Sequence, residues 1–418
     1  MENAATMTTP TSSRRIRSAV TLVTIACSVG VQAQDWPQWR GPARDGAIAA
    51  FNEPASWPAA LTKRWQVDVG SGYATPLIVG DRVYAFSREG DDEVLQALDA
   101  ATGKQIWRAS YAAAFAMNPA TRQHGPGPKS TPTYADGRLF TLSMTGVVLA
   151  FDARDGRMLW QAAAPVVQPQ YHTAMSPVVD GSSVVAHIGG QDQGALTAFD
   201  VATGKVRWQW TGDGPAYGSP VVTTIGGVRQ VVTFTQQNFV GVSAADGSLL
   251  WRRPYTTGAT TTSQTPVFHK DLVIESGRGN GITAFRPVVA NGTWTTPNVW
   301  HTDEVSVHLS DVVAVDGVIY GLSHLNRGQY FALELDSGKV LWKGEPRRAE
   351  HAAIARAGRT LFSLEDDGEL VVMRASRTGL EQVTSYEVAT SATWAQPAIS
   401  RNRIFVRDVS TLALWTLE

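Results

Sequence analysis

The chain has 418 residues, of which 43% are hydrophobic and 17% charged, with 36 basic side chains against 37 acidic ones. That balance excludes a disordered chain, a polybasic nucleic-acid binder and a collagen-like fibre. The single cysteine excludes a disulfide framework, a thiolate zinc module and a covalently attached c-type haem, whereas 14 Trp and 38 Gly are far more than composition alone accounts for.

Residues 1–33 read as a signal peptide. Arg14, Arg15 and Arg17 form its basic part, residues 18–31 an apolar stretch too short to span a bilayer, and Val31-Gln32-Ala33 a small-x-small cleavage site. Cleavage there removes Cys27; if Thr24-Ile25-Ala26-Cys27 serves instead as a lipoprotein box, Cys27 becomes a lipid anchor. Either way an exported protein is expected, periplasmic or extracellular, tied to the outer membrane in the second case. No later run is apolar enough for a transmembrane helix. Residues 34–60 form an N-terminal extension carrying Trp36 and Trp39.

From residue 61 onward the chain repeats itself. Ala97-Leu98-Asp99-Ala-Ala-Thr-Gly103-Lys-Gln-Ile-Trp107 matches Ala150-Phe151-Asp152-Ala-Arg-Asp-Gly156-Arg-Met-Leu-Trp160 without a gap, and the frame recurs from Ala198 to Trp208, Gly241 to Trp251 and Ala332 to Trp342. A Gly four residues before each Trp supplies the positive φ of a hairpin turn. Ahead of each copy stands Ser/Thr-Pro, then an apolar strand, a tight turn and a second strand. Thr75-Pro76, Thr131-Pro132, Ser176-Pro177, Ser219-Pro220 and Thr265-Pro266 are clear copies; Ser310-Asp311, Ala352-Ala353 and Gln396-Pro397 are degraded ones. A period of about 45 residues with four short strands per unit predicts a β-propeller, here with eight blades.

The eighth unit stops one or two strands in, and Leu61-Thr-Lys-Arg-Trp65-Gln-Val67, within residues 61–70, looks like its missing outer strand. Closing the ring with an N-terminal strand removes two exposed edges. Seven Trp then fall at the outer-strand position: Trp65, Trp107, Trp160, Trp208, Trp251, Trp300 and Trp342. Their regular recurrence assigns them to packing between blades rather than to ligand stacking. The seventh blade, around Gly379–Val383, lacks one.

The motif Ala-x-Asp-x-x-Thr-Gly-x-x-x-Trp resembles the tryptophan-docking motif of the pyrroloquinoline-quinone (PQQ) propeller superfamily. Asp35-Trp36-Pro37-Gln38-Trp39-Arg40-Gly41-Pro42 and His124-Gly-Pro-Gly-Pro-Lys129-Ser-Thr-Pro132 are similar to stretches of secreted PQQ-like repeat proteins grouped with the outer-membrane assembly factor BamB. The resemblance implies a non-catalytic scaffold or binding module of the cell envelope, monomeric, with an envelope protein or a small ligand as partner and no nucleic acid. A second implied reading is a PQQ-dependent dehydrogenase acting on an alcohol or sugar; PQQ, Ca²⁺ and a catalytic Asp would follow from it, but no motif marks such residues. A third is polysaccharide binding or cleavage.

No catalytic residue, metal site or cofactor is assigned from spacing. The eight His include no His-Glu-x-x-His pair, and Glu365-Asp366-Asp367-Gly368-Glu369 lacks a calcium ligand ladder. The loop entering each innermost strand rings the channel mouth of a propeller. Three residues before the Pro-equivalents stand Tyr73, Lys129, Ala174, Tyr217, Ser263, His308, Glu350 and Trp394. With neighbouring His172, Gln264 and His351, the candidate channel-mouth site is Tyr73, Lys129, His172, Tyr217, Gln264, His308, Glu350, His351 and Trp394. The stretches 108–130 and 286–298 depart from the repeat and are candidates for a cover over the channel or a docking loop.

Overall fold

Every repeat carries two central strands that are apolar almost throughout, such as Ser183–Ile188 and Ala195–Asp200, and an outer strand that alternates, such as Val206–Trp210. Central strands of that kind must be covered on both faces, so each sheet needs a neighbour on either side. The computed structural model, which describes residues 1, 2, 4, 35–48, 50–258 and 262–418, meets that need with eight four-stranded antiparallel sheets in a ring. The leader assigned to residues 1–33 falls almost wholly outside the described residues.

In chain order, blade 1 is built from Leu77–Val79, Arg82–Glu89, Asp92–Asp99 and Gln105–Ala112, and blade 2 from Thr133–Ala135, Arg138–Leu142, Val148–Asp152 and Met158–Gln161. Blade 3 runs from Val178–Asp180 to Val206–Trp210, blade 4 from Val221–Ile225 to Leu249–Pro254, and blade 5 from Val267–His269 to Asn298–Thr302. Blade 6 runs from Val313–Val315 to Val340–Lys343 and blade 7 from Ala352–Ala357 to Glu381–Glu387. Blade 8 takes three strands, Ala398–Ser400, Arg403–Arg407 and Thr411–Thr416, from the end of the chain, more than the one or two expected, and its outer strand from Thr62–Asp68. Across the closure, buried Arg407 of blade 8 donates to the carbonyls of Gly70 and Phe86.

The Trp-Gly spacing turns out to be a joint. In each Asp-x-x-Thr/Asp-Gly turn the Asp accepts backbone N–H groups, as Asp99 does from Thr102 at 2.8 Å. The turn presents one free carbonyl, and the indole N–H of the preceding blade donates to it: Trp65 to Ala100, Trp107 to Ala153, Trp160 to Val201 and Trp208 to Ala244, each at 3.1 Å. Trp300 reaches Leu335 at 2.8 Å in the same way. The turn glycine lies flat against the same indole; a Cβ at Gly156 would stand 2.5 Å from the Trp107 ring. Glycine is therefore needed twice, for positive φ and for contact.

Where the receiving turn is altered, the indole adapts. The stretch 286–298 of blade 5 is an added hairpin (Val288–Ala290 paired with Thr293–Thr295) in place of the turn. Trp251, with no turn carbonyl to meet, donates to Gln230 Oε1 of its own blade at 2.6 Å and packs edge-on against Phe285. Trp342 donates to Ser376, in the longer turn of blade 7. Blade 7 has Thr384 at the Trp position, and blade 8 offers it no turn, because its outer two strands come from opposite ends of the chain. There Phe51 and Trp57 of the N-terminal extension pack on Phe362, and Tyr386 donates to Pro58 O.

At the axis the Ser/Thr of each Ser/Thr-Pro pair forms a second joint. Thr75 N–H donates to Thr131 Oγ1, Thr131 to Ser176 Oγ and Ser176 to Ser219 Oγ, all at 3.0 Å. Thr265 donates to Asp311 Oδ1 at 2.9 Å, and Gln396 of blade 8 to Thr75 Oγ1 at 3.2 Å. Asp311 thus holds the Ser/Thr position, and Val312 the Pro position. The expected alignment was one residue early in blade 6, and likewise in blade 7, where the strand pairing puts Ile354 at the Pro position.

The channel inside this ring is filled by the chain itself. Trp36, fully buried, pairs with Ile78 of blade 1, and Tyr134 of blade 2 donates to Pro37 O. Trp39 donates to Thr265 of blade 5, Arg40 to Val312 O of blade 6, and Ile48 to Arg356 O of blade 7. Arg44 spans blades 2, 3 and 4, donating to Pro220 O at 2.7 Å, Ser176 O at 3.3 Å and also Pro177 O. Its guanidinium has no carboxylate partner among the described residues; backbone carbonyl dipoles replace the lost hydration. Trp36 and Trp39 are therefore structural, and the axis beneath the mouth is plugged.

Gly137 and Gly156 share φ +77°, yet a Cβ at Gly137 would meet nothing within 4 Å. Gly137→Ala should cost about 1 kcal/mol of backbone strain and Gly156→Ala clearly more in chemical denaturation. In a Trp107→Leu background the excess should vanish; an undiminished excess would show that the indole is not its cause.

Candidate functional site

The strand-entry loops and the stretch 108–130 enclose a cavity of about 380 Å³ at the channel mouth, on the side where the chain enters each innermost strand. Of the sequence-predicted residues, Tyr73, Lys129, Tyr217, His308 and Trp394 line it, together with Ala174 and Ser263. Four others do not. Glu350 is exposed, its backbone N–H held by Asp366 Oδ1. His172 is buried beneath Phe115, with Nε2 accepting from Asn118 N–H at 3.4 Å. Gln264 is buried at the axis, and His351 lies behind Trp394, stacked on it at 4.9 Å and 11°. The one-residue shift in blades 6 and 7 puts Leu309 and His351 at the register positions assigned to His308 and Glu350; Leu309 joins His308 in the lining, while His351 packs behind Trp394.

The stretch 108–130 is the lid of this cavity. Asn118 caps a short 3₁₀ turn, Pro119–His124, by accepting from Ala120 N–H at 2.9 Å. Ala120, Thr121 and His124 of that turn face the cavity. The lid is tied to blade 3 through Asn118 to Gln170 O and reaches blade 8 through His124, edge-on to Trp394 at 4.6 Å. It returns to its root through Pro128 O, which accepts from Tyr73 and Ala74 N–H. Gly127 crosses Ser71 and Gly72 so closely that a Cβ would stand 2.2 Å from Ser71 O.

Tyr171 and Arg278 also line the cavity and were not foreseen. Neither sits at the repeated entry position: Tyr171 precedes it by three residues, and Arg278 lies between the second and third strands of blade 5. Tyr217 Oη accepts from Tyr171 N–H at 3.1 Å and from Gln191 Nε2 at 3.3 Å. Burial pushes the Tyr217 phenol up to about 12 and the Lys129 ammonium down to about 8. His308 is lowered to about 4, first by burial and then by Arg278 and His324. The lining thus holds two cationic side chains, neutral imidazoles, three tyrosines and a tryptophan, and no carboxylate.

That inventory decides how the groups implied by the family resemblance fit. Ca²⁺ takes six to eight oxygens, carboxylates prominent among them, and this lining offers none. The acidic trio Glu365, Asp367 and Glu369 lies outside it, with Arg348 donating to Glu365 and Glu369 at 2.7 Å each and Tyr330 to Glu365 at 2.6 Å. Its charge is met by Arg348. Ca²⁺ does not fit the cavity. An aromatic polyanion such as the quinone itself fits the charge and the ring walls, with Lys129, Arg278 and Trp394 as the residues that would hold it. A wider cleft of about 730 Å³ opens between blades 1 and 2 at the opposite ends of the strands, where Arg154 and Arg157 pair with Asp152 and Arg82 caps the carbonyls of Ala153 and Arg154.

A family model described as outer membrane protein assembly factor BamB matches residues 56–121 and 91–344. The chain belongs to that family. It is 29% identical over 302 residues to the outer membrane protein assembly factor BamB of Yersinia pestis, covering 68% of this chain and 61% of that protein. It is 24% identical over 345 residues to a polyvinylalcohol dehydrogenase of a Pseudomonas species, covering 62% and 52%. The match thus spans between half and two thirds of these relatives' length. The solved structure of BamB from Moraxella catarrhalis superposes with a TM-score of 0.62 at 15% identity, over 86% of this chain and 98% of that one. The fold is therefore shared with that structure, while the names of the relatives divide between assembly and oxidation.

His351 is fully buried, and burial lowers its pKa to about 4, against 6.5 when free. The unfolded chain therefore takes up the proton first as pH falls, and stability is lost from about pH 6.5 downward, levelling off near pH 4. His351→Phe keeps a ring on Trp394 without the titration. The loss between pH 7 and 4.5 should be smaller in the variant by about 2 kcal/mol; equal losses would show that His351 does not titrate this way.

Proposed function

We propose that the protein is a non-catalytic binding module of the cell envelope, a rigid propeller whose lidded mouth and loops serve recognition. The observation that carries this reading is the lining of the mouth cavity, which holds cations and aromatics but neither a carboxylate base nor a divalent-cation site. Substrate oxidation on a bound quinone needs both a proton acceptor and a means of polarising the cofactor. Histidines pushed well below neutrality are weak bases, and Lys129 is better suited to hold an anion than to remove a proton from an alcohol. The assembly-factor name of the matching family supports a role among envelope proteins, and the leader sequence supports export to that compartment.

The dehydrogenase reading is favoured by relatives that carry that name, among them the polyvinylalcohol dehydrogenase at 24% identity and quinone alcohol dehydrogenase subunits at 28–31% identity over about a third of this chain. One experiment separates the two. The purified full chain is incubated with PQQ and Ca²⁺, and alcohol- or sugar-dependent reduction of an electron-accepting dye is followed. No turnover above that of heat-denatured protein is expected. Saturable, substrate-dependent dye reduction would overturn the binding-module reading.

A further inference from the structure

Lys129 places its Nζ in the mouth cavity with no hydrogen-bond partner, although that atom is buried. Arg278, across the same lining, is in no ion pair among the described residues. Leaving a buried ammonium unpaired is costly, and native structures rarely do so without a reason. Neither cation has a carboxylate partner among the described residues, and Asp311, Asp408 and Asp366 are engaged with other groups: Asp311 with Arg40 and Thr265, Asp408 with the turn at Ser410 and Thr411, and Asp366 with the backbone of Glu350 and His351. The walls between the two cations are aromatic, and Trp394 is fixed by His351 stacked at its back.

We propose that this cavity is a metal-independent receptor site for a small organic anion that carries an aromatic ring. Lys129 and Arg278 receive the negative charge, and Trp394 with Tyr73 and Tyr217 flank the ring. The lid turn carrying His124 then closes over the ligand. The charge is neutralised by side chains of the chain itself, so no divalent cation takes part. Burial lowers the Lys129 ammonium to about 8, and an anion at this place raises it again by supplying its missing partner. The inference goes beyond the binding-module reading, which concerns turnover and stands or falls separately.

The test is calorimetric titration of the purified full chain with two probe pairs. Indole-2-carboxylate is compared with its uncharged carboxamide, and PQQ is titrated once with Ca²⁺ and once with EDTA. The carboxylate should bind at least tenfold more tightly than the amide, and EDTA should leave the PQQ affinity unchanged. Lys129→Met and Arg278→Gln should each weaken carboxylate binding tenfold or more; Arg278 is exposed and makes no contact the fold needs, so its variant guards against loss through misfolding. Equal affinity for acid and amide, binding only when Ca²⁺ is present, unchanged affinity in both variants, or no binding of any probe would each overturn the proposal.

Discussion

Closing a ring of sheets means that no blade can bury both of its faces alone, and every other feature of this protein follows from how its eight joints are made. The outer joint is one indole, one turn carbonyl and one glycine with no side chain. A buried Trp contributes about 2–3 kcal/mol from its area and about 1 kcal/mol from its N–H bond, so even a few such joints rival the net stability of a domain. The inner joint is a hydroxyl or carboxylate accepting the neighbour's backbone N–H at the axis. Exceptions to each joint are informative. Trp251 turns back on its own blade where the receiving turn is replaced, and the seventh blade lacks a Trp where the eighth has no turn.

The ring creates a second constraint at its centre. Innermost strands present carbonyls toward the axis that need donors, and the segment from Trp36 to Ile48 supplies them. Arg40 and Arg44 are suited to this because a guanidinium offers five donors in a fixed plane and remains charged when buried. The plug makes the propeller a solid body and leaves the lidded mouth as a cavity of its own. The lining residues sit on loops whose roots are fixed by the innermost strands of a filled ring.

Much of this was legible in the sequence because the repeat is a physical requirement. Trp and Gly at fixed spacing marked the outer joints, and Ser/Thr-Pro marked the inner ones without revealing their purpose. The alignment slips by one residue where the repeat loses its proline: at Ser310-Asp311 in blade 6 the carboxylate stands at the hydroxyl position rather than the proline one, and the same slip at Ala352-Ala353 in blade 7 assigned Glu350 to the mouth. Tyr171 and Arg278 carry no repeating signal, since each belongs to a single loop, whereas the lid showed as the departure of residues 108–130 from the repeat. The role of Trp36, Trp39 and Arg44 was equally hidden. Their partners lie on five blades, and nothing local in Trp-Pro-Gln-Trp-Arg indicates a channel.

The central claim is that the blades depend on one another through the plugged axis, and amide hydrogen exchange tests it most directly. The N–H groups of Thr131 and Ser176 donate to the neighbouring blade at the axis, and Arg44 binds the carbonyls of Ser176, Pro177 and Pro220. In the native protein these amides should exchange only through global unfolding, with one protection free energy shared by the innermost strands of different blades. Arg44→Met should lower that shared value for all of them together. Protection lost only in blades 2 to 4, or not lost at all, would contradict the account.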